Sequence, residues 1–85
     1  MAGGPVITLV VGHLREIVVY AAKEGLRKED FVAVYVRRAH RALVGREVSG
    51  TEIVYVDGAD LVLDQPGVRG YLGALVAHGA KERVA

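Results

Sequence analysis

At 85 residues the chain has room for one domain with a single core, and not for a full doubly wound enzyme that carries its own substrate domain. The absence of cysteine excludes disulfides, thiolate metal sites and cysteine nucleophiles, and a formal net charge of +1 argues against strong global attraction to nucleic acid. Hydrophobic residues, mostly Val, Ala and Leu, make up 52% of the chain, which marks a globular protein, yet no apolar run approaches the roughly 18 residues of a membrane span.

The N-terminal Met1-Ala2-Gly3-Gly4-Pro5 has no cationic residue ahead of the apolar run and no cleavage pattern, so no secretory signal is read and a soluble, cytoplasmic protein is expected. Residues 1–5 and 81–85 are expected to be flexible ends of a single α/β domain. The run Val6-Ile7-Thr8-Leu9-Val10-Val11 is the first strand, and Gly12-His13 turns the chain out of it. Leu14, Ile17, Val18, Ala21 and Ala22 then recur at the spacing of an amphipathic helix, which leaves Val19 and Tyr20 at the margins. Gly25 suits the left-handed residue that closes such a helix, with Leu26 folding back as its hydrophobic contact.

Phe31-Val32-Ala33-Val34-Tyr35-Val36 is a continuous β-branched and aromatic run, the pattern of a strand covered on both faces. Ala39, Ala42 and Leu43 predict a turn or two of helix within residues 37–44, stopped by Gly45, and Ser49-Gly50-Thr51 is turn chemistry. Glu52-Ile53-Val54-Tyr55-Val56 is the third strand, leading to the turn Asp57-Gly58-Ala59-Asp60. Asp64-Gln65-Pro66 marks a helix start, because proline at the first helical position loses no intrahelical hydrogen bond. Val68, Leu72, Leu75, Val76 and Gly79 form the inward stripe of that last helix, and Lys81-Glu82-Arg83 its frayed polar end. Gly70 and Gly73 weaken it, so close packing on the sheet or on another subunit is expected in return.

Strand, helix, strand, short helix, strand, helix is an α/β order. Right-handed crossovers then give a minimal Rossmann-like, three-stranded parallel sheet with helices on both faces, in order 2-1-3, with 1-2-3 as the alternative. Ligands of open parallel sheets bind beyond the carboxyl ends of the strands, which points to the turns at Gly12-His13 and Asp57-Gly58. Neither holds a complete motif. Gly12 lacks the two further glycines of a dinucleotide fingerprint, no phosphate loop occurs, and Val54-Tyr55-Val56-Asp57 resembles a magnesium-binding strand without the loop that would give it meaning. Gly12, His13 and Asp57 are therefore an anion-binding candidate only, and neither a catalytic residue nor a cofactor is assigned.

Asp57, Asp60 and Asp64 could share a hard cation, but they lack the spacing of a calcium loop, and turn formation and helix capping account for them, so no metal is assigned. The strongest charge feature is Arg37, Arg38, Arg41 and Arg46, interrupted by His40 and followed by an acidic segment. Arginine suits bidentate contact with carboxylates or phosphates, whereas the bland alternative is a solvated helix face. Most of the five aromatic residues, Tyr20, Phe31, Tyr35, Tyr55 and Tyr71, fall in predicted core elements, so no base-stacking platform is evident and nucleic acid is the less favoured partner. Tyr71, Ala74 and His78 mark a face of the last helix suited to an interface, for instance in a homodimer.

The succession Thr8-Leu9-Val10-Val11-Gly12, Tyr20-Ala21-Ala22-Lys23-Glu24-Gly25-Leu26, Val34-Tyr35-Val36, Arg41-Ala42-Leu43-Val44-Gly45 and Glu52-Ile53-Val54-Tyr55-Val56 resembles small α/β proteins encoded by bacteriophages of actinobacteria. The resemblance covers most of residues 6–58 and implies a non-structural phage protein acting inside the host, with no functional residue to carry over. The expected function is that of a non-enzymatic interaction protein that binds a host or self protein surface through the four arginines. The alternatives are a small nucleotide- or anion-binding domain and a nucleic-acid-binding module.

Overall fold

The β-branched runs pair in parallel around the first of them. The computed structural model describes residues 8–43 and 51–85. Its elements are β1 (Thr8–Val11), α1 (Leu14–Glu24), a 3-10 turn (Lys28–Asp30), β2 (Phe31–Val34), α2 (Ala39–Leu43), β3 (Glu52–Tyr55), α3 (Ala59–Leu63), α4 (Val68–Ala77) and β4 (Lys81–Val84). The sheet is entirely parallel in the order β2-β1-β3-β4, with Val10 beside Ala33 on one side and Val54 on the other. The order 2-1-3 read from the sequence holds, and a fourth strand extends it.

Two clusters fill the two faces. Leu9, Val11, Val34 and Ile53 meet Leu43, Val62, Val68, Leu72 and Leu75 from α2, α3 and α4 on one side. Val10 and Val54 meet Ile17 and Tyr20 of α1 on the other. Helices on both faces are what a single crossover hand requires when the chain first moves one way along the sheet and then the other. The order is that of the first four strands of flavodoxin-like sheets.

Several expectations are corrected. The inward row of α1 is Ile17, Tyr20 and Ala21, whereas Leu14, Val18 and Val19 are 45%, 57% and 55% exposed. Arg83 contributes to that rotation: its guanidinium donates to the Tyr20 hydroxyl at 2.6 Å and lies 5.9 Å from the ring centre, over the sheet. Gly25 closes α1 as read, at φ 69°, with Leu26 N–H bonded to the Ala21 carbonyl at 2.8 Å and its side chain against the α1-side core. β2 is covered on both faces, with Val32 and Val34 on the three-helix cluster and Phe31, Ala33 and Tyr35 on the α1 side, but it is an edge strand and not a central one, so Phe31, Val32 and Ala33 stay half-buried. The turn after β3 continues into α3, so Asp64 ends that helix, and α4 begins at Val68 instead of Pro66. Gly45 and Ser49-Gly50 lie outside the described residues.

The largest correction is β4. Gly79 belongs to no helical stripe: it ends α4 at φ 109°, Ala80 N–H bonds back to the Leu75 carbonyl at 3.0 Å, and Lys81 N–H reaches Thr51 O at 3.1 Å to start the strand. Lys81-Glu82-Arg83 is thus paired backbone, not a frayed end. A Cβ on Gly70 or Gly73 would meet nothing within 4 Å. These glycines gain no close packing from the described residues, although each costs about 1 kcal/mol of helix propensity.

β4 is held by side chains as well. Tyr55 donates its hydroxyl to Glu82 Oε2 at 2.9 Å, and Arg83 Nε stands 3.5 Å from Glu52 Oε2. Burial first, and then the hydrogen bond and charge of Glu82, push the Tyr55 phenol up to about 12. An unfolded tyrosine ionises near pH 10, so this contact contributes fully below about that pH and is lost as pH rises toward 12. Ultraviolet titration should show one tyrosine ionising near pH 12 that disappears in Tyr55→Phe; ionisation of every tyrosine near pH 10 would rule the contact out.

Candidate functional site

β1 and β3 are the adjacent strands at which the order of the sheet reverses, the usual ligand crevice of an open α/β sheet. Here the backbone closes it. Val56 N–H bonds to the Val11 carbonyl at 2.8 Å, and His13 N–H to the Asp57 carbonyl at 2.9 Å. A Cβ on Gly12 would stand 2.7 Å from the Asp57 carbonyl oxygen, and one on Gly58 would meet the His13 ring, so both glycines are positions of close approach. The structure therefore brings Gly12, His13 and Asp57 together, but through main chain: one amide of the α1 N-terminus is already occupied, and the His13 and Asp57 side chains are exposed.

Among the described residues no group of three His, Asp or Glu side chains could hold a metal ion. Asp64 lies 3.8 Å from Arg69, with both side chains in solvent, and Asp60 is exposed in the first turn of α3. A shallow hollow of about 400 Å³ is lined by His13, Leu14, Val36 and Arg37, and another of about 490 Å³ by Asp57, Asp60, Leu63 and Val84.

The arginines sit where β2 hands over to α2. Arg37 and Arg38 occupy the turn, in which Arg38 N–H bonds to the Tyr35 carbonyl at 2.8 Å, and Arg41 projects from α2. All three are exposed, and none forms an ion pair with a described residue. Arg46 lies outside the described residues. The turn is braced from across the molecule by the Gln65 side chain, which donates to the Val36 carbonyl at 2.9 Å.

Arg38 and Arg41 also line a groove of about 540 Å³ that wraps the outer edge of β2, with Phe31, Val32, Ala33 and Tyr35 as its apolar floor and Leu14, Lys28 and Glu29 along its rim. The sequence named the arginines and missed the groove, because an edge is a property of strand order. Tyr71 packs half-buried against the three-helix cluster, while Ala74 of α4 and His78, which caps that helix, are both exposed.

The chain matches no family model, no curated protein and no solved structure. Its chemistry is therefore argued from this geometry. No helix among the described residues is long and apolar enough to cross a membrane.

Proposed function

We propose that this domain is a non-enzymatic interaction module that receives a protein partner along the β2 edge, with Arg37, Arg38, Arg41 and Arg46 as its electrostatic contact. The observation that carries the reading is the contrast between two places on one sheet. The β1/β3 crevice is closed by the His13-to-Asp57 and Val56-to-Val11 hydrogen bonds, whereas β2 opens into a groove that joins apolar floor to exposed arginine. Strand addition to such an edge draws affinity from main-chain hydrogen bonds and specificity from the flanking side chains. Arginine at the mouth suits carboxylates through its planar, bidentate fork. The resemblance to small phage proteins directs the search to bacterial host proteins and to the chain itself.

Affinity capture from a nuclease-treated bacterial lysate tests the reading. The chain should recover a protein near stoichiometry, and replacing the four arginines with glutamate should abolish that recovery while the circular dichroism spectrum stays unchanged. Full binding by the variant, or recovery of nucleic acid alone without nuclease, would refute it.

A further inference from the structure

We propose that the β2 edge pairs with β2 of a second copy of this chain, antiparallel about a two-fold axis at Ala33, to form a continuous eight-stranded sheet. This rests on reading that edge as the binding surface and names its occupant.

The two edges of the sheet are defended differently. β4 presents Lys81, Glu82 and Arg83, all exposed, and charge along an edge is a standard obstacle to strand addition. β2 presents Phe-Val-Ala-Val with no charge in the strand. The Gly12 N–H bonds to the Val34 carbonyl at 3.1 Å, which fixes the parity of the ladder. Val32 and Val34 direct their main-chain groups toward β1, so those of Phe31 and Ala33 point off the sheet, where a strand can reach them.

The edge is complementary to itself in one register. With the axis at Ala33, the smallest side chain of the strand meets its own copy, Phe31 faces Tyr35 of the second copy, and Val32 faces Val34. Phe31, Ala33 and Tyr35 lie on the α1 side, so two aromatic pairs form on one face, a favoured cross-strand combination. The same register carries Glu29 toward Arg37 of the other copy, although Arg27 and Lys28 share that end, so salt modulates the pairing without deciding it. A two-fold axis normal to the sheet also sets both α1 helices on one side. Leu14, which lines the groove, and Val18, one helical turn further along, lie on the side of α1 toward that groove, so the second copy gives two exposed apolar residues of α1 a partner surface.

Light scattering on the full chain over a concentration series should approach twice the 9.1 kDa chain mass. Val18 is exposed, so Val18→Asp should keep the fold and weaken the dimer at least tenfold. Since the chain has no cysteine, Ala33→Cys reports the axis directly. Facing residues of a hydrogen-bonded antiparallel pair lie about 5.5 Å apart at Cα, within disulfide reach, so this variant should cross-link to completion on mild oxidation. A monomer at every concentration would overturn the proposal, as would a dimer that ignores Val18→Asp and leaves Ala33→Cys uncrosslinked, or one dissolved by Ala74→Glu on α4. A monomeric chain that still captures an arginine-dependent partner would refute the second copy and leave the interaction module standing, whereas a cross-linked dimer that captures nothing would do the reverse for a foreign partner.

Discussion

Ile17→Ala should lower the unfolding free energy by about 3 kcal/mol, read as a fall in urea midpoint at unchanged slope. Ile17 is fully buried, and among the described residues α1 alone supplies helical residues to the cluster that it shares with Val10, Tyr20 and Val54. Truncation leaves a void that one helix on an otherwise rigid sheet fills poorly. A domain of this size has about 4–13 kcal/mol in total, so the loss is a large fraction of it. Val18→Ala, one residue along, should change the stability of the dilute, monomeric chain by less than about 0.5 kcal/mol, because Val18 is 57% exposed there. The pair of variants measures how α1 is rotated on the sheet. Equal losses at the two positions would restore the inward row that the spacing of Leu14, Ile17, Val18, Ala21 and Ala22 predicts.

That rotation shows where sequence reasoning ran out. Periodicity ranks Val18 above Tyr20 as a core residue, since it weighs each side chain by its own apolarity. Tyr20 has a hydrogen-bond partner for its hydroxyl in Arg83, a residue more than sixty positions later in a strand that the pattern did not reveal. β4 itself was hidden for a related reason. Parallel strands are recognised as apolar runs because helices cover both their faces, but a short edge strand next to the exposed side of a sheet is free to be Lys-Glu-Arg-Val. Gly79 offered the missing signal: a glycine in that place reads as the stop of a helix, and the six residues after it are then free to form another element. α3 was obscured by Asp57-Gly58, whose turn chemistry masked the apolar Leu61-Val62-Leu63 behind it.

What was legible rests on local physics with few competitors. Gly25 and Leu26 close α1 because the left-handed residue and its apolar contact are chain neighbours. The order β2-β1-β3 follows from crossover handedness and three apolar strands. The arginines were visible as a charge run, but their relation to a groove was not, because it depends on β2 being an edge. The same strand that read as doubly covered is the one whose outer side is open. Its continuous apolar run answers the two clusters that cover its faces, and unlike β4 it carries no charge along the edge.

Gly12→Ala should be destabilising by about 2–4 kcal/mol, since a side chain at this position must be accommodated against main chain. Its Cβ would stand 2.7 Å from the Asp57 carbonyl oxygen and 3.0 Å from that of Val56, and would collide with the Val56 side chain. The Asp57 oxygen is held in place as the acceptor of the His13 N–H, and Val56 is anchored by its own N–H to Val11, so relief requires the end of β3 to move and both bonds to lengthen. Hydrogen exchange at the His13 and Val56 amides should accelerate in the variant beyond the rise at the Leu9 and Val10 amides in the sheet centre. Gly58→Ala is the control. Its cost comes from φ +90°, about 1–2 kcal/mol for a residue with a side chain, plus a clash with the exposed His13 ring, which can turn away. Adding His13→Ala should recover the clash and leave the backbone cost, whereas the same addition should do nothing for Gly12→Ala, whose obstacles are Val56 and Asp57. A neutral Gly12→Ala would mean that the two turns are not seated on each other. The crevice between β1 and β3 would then be open, and the case for the β2 edge as the working surface would lose the contrast on which it stands.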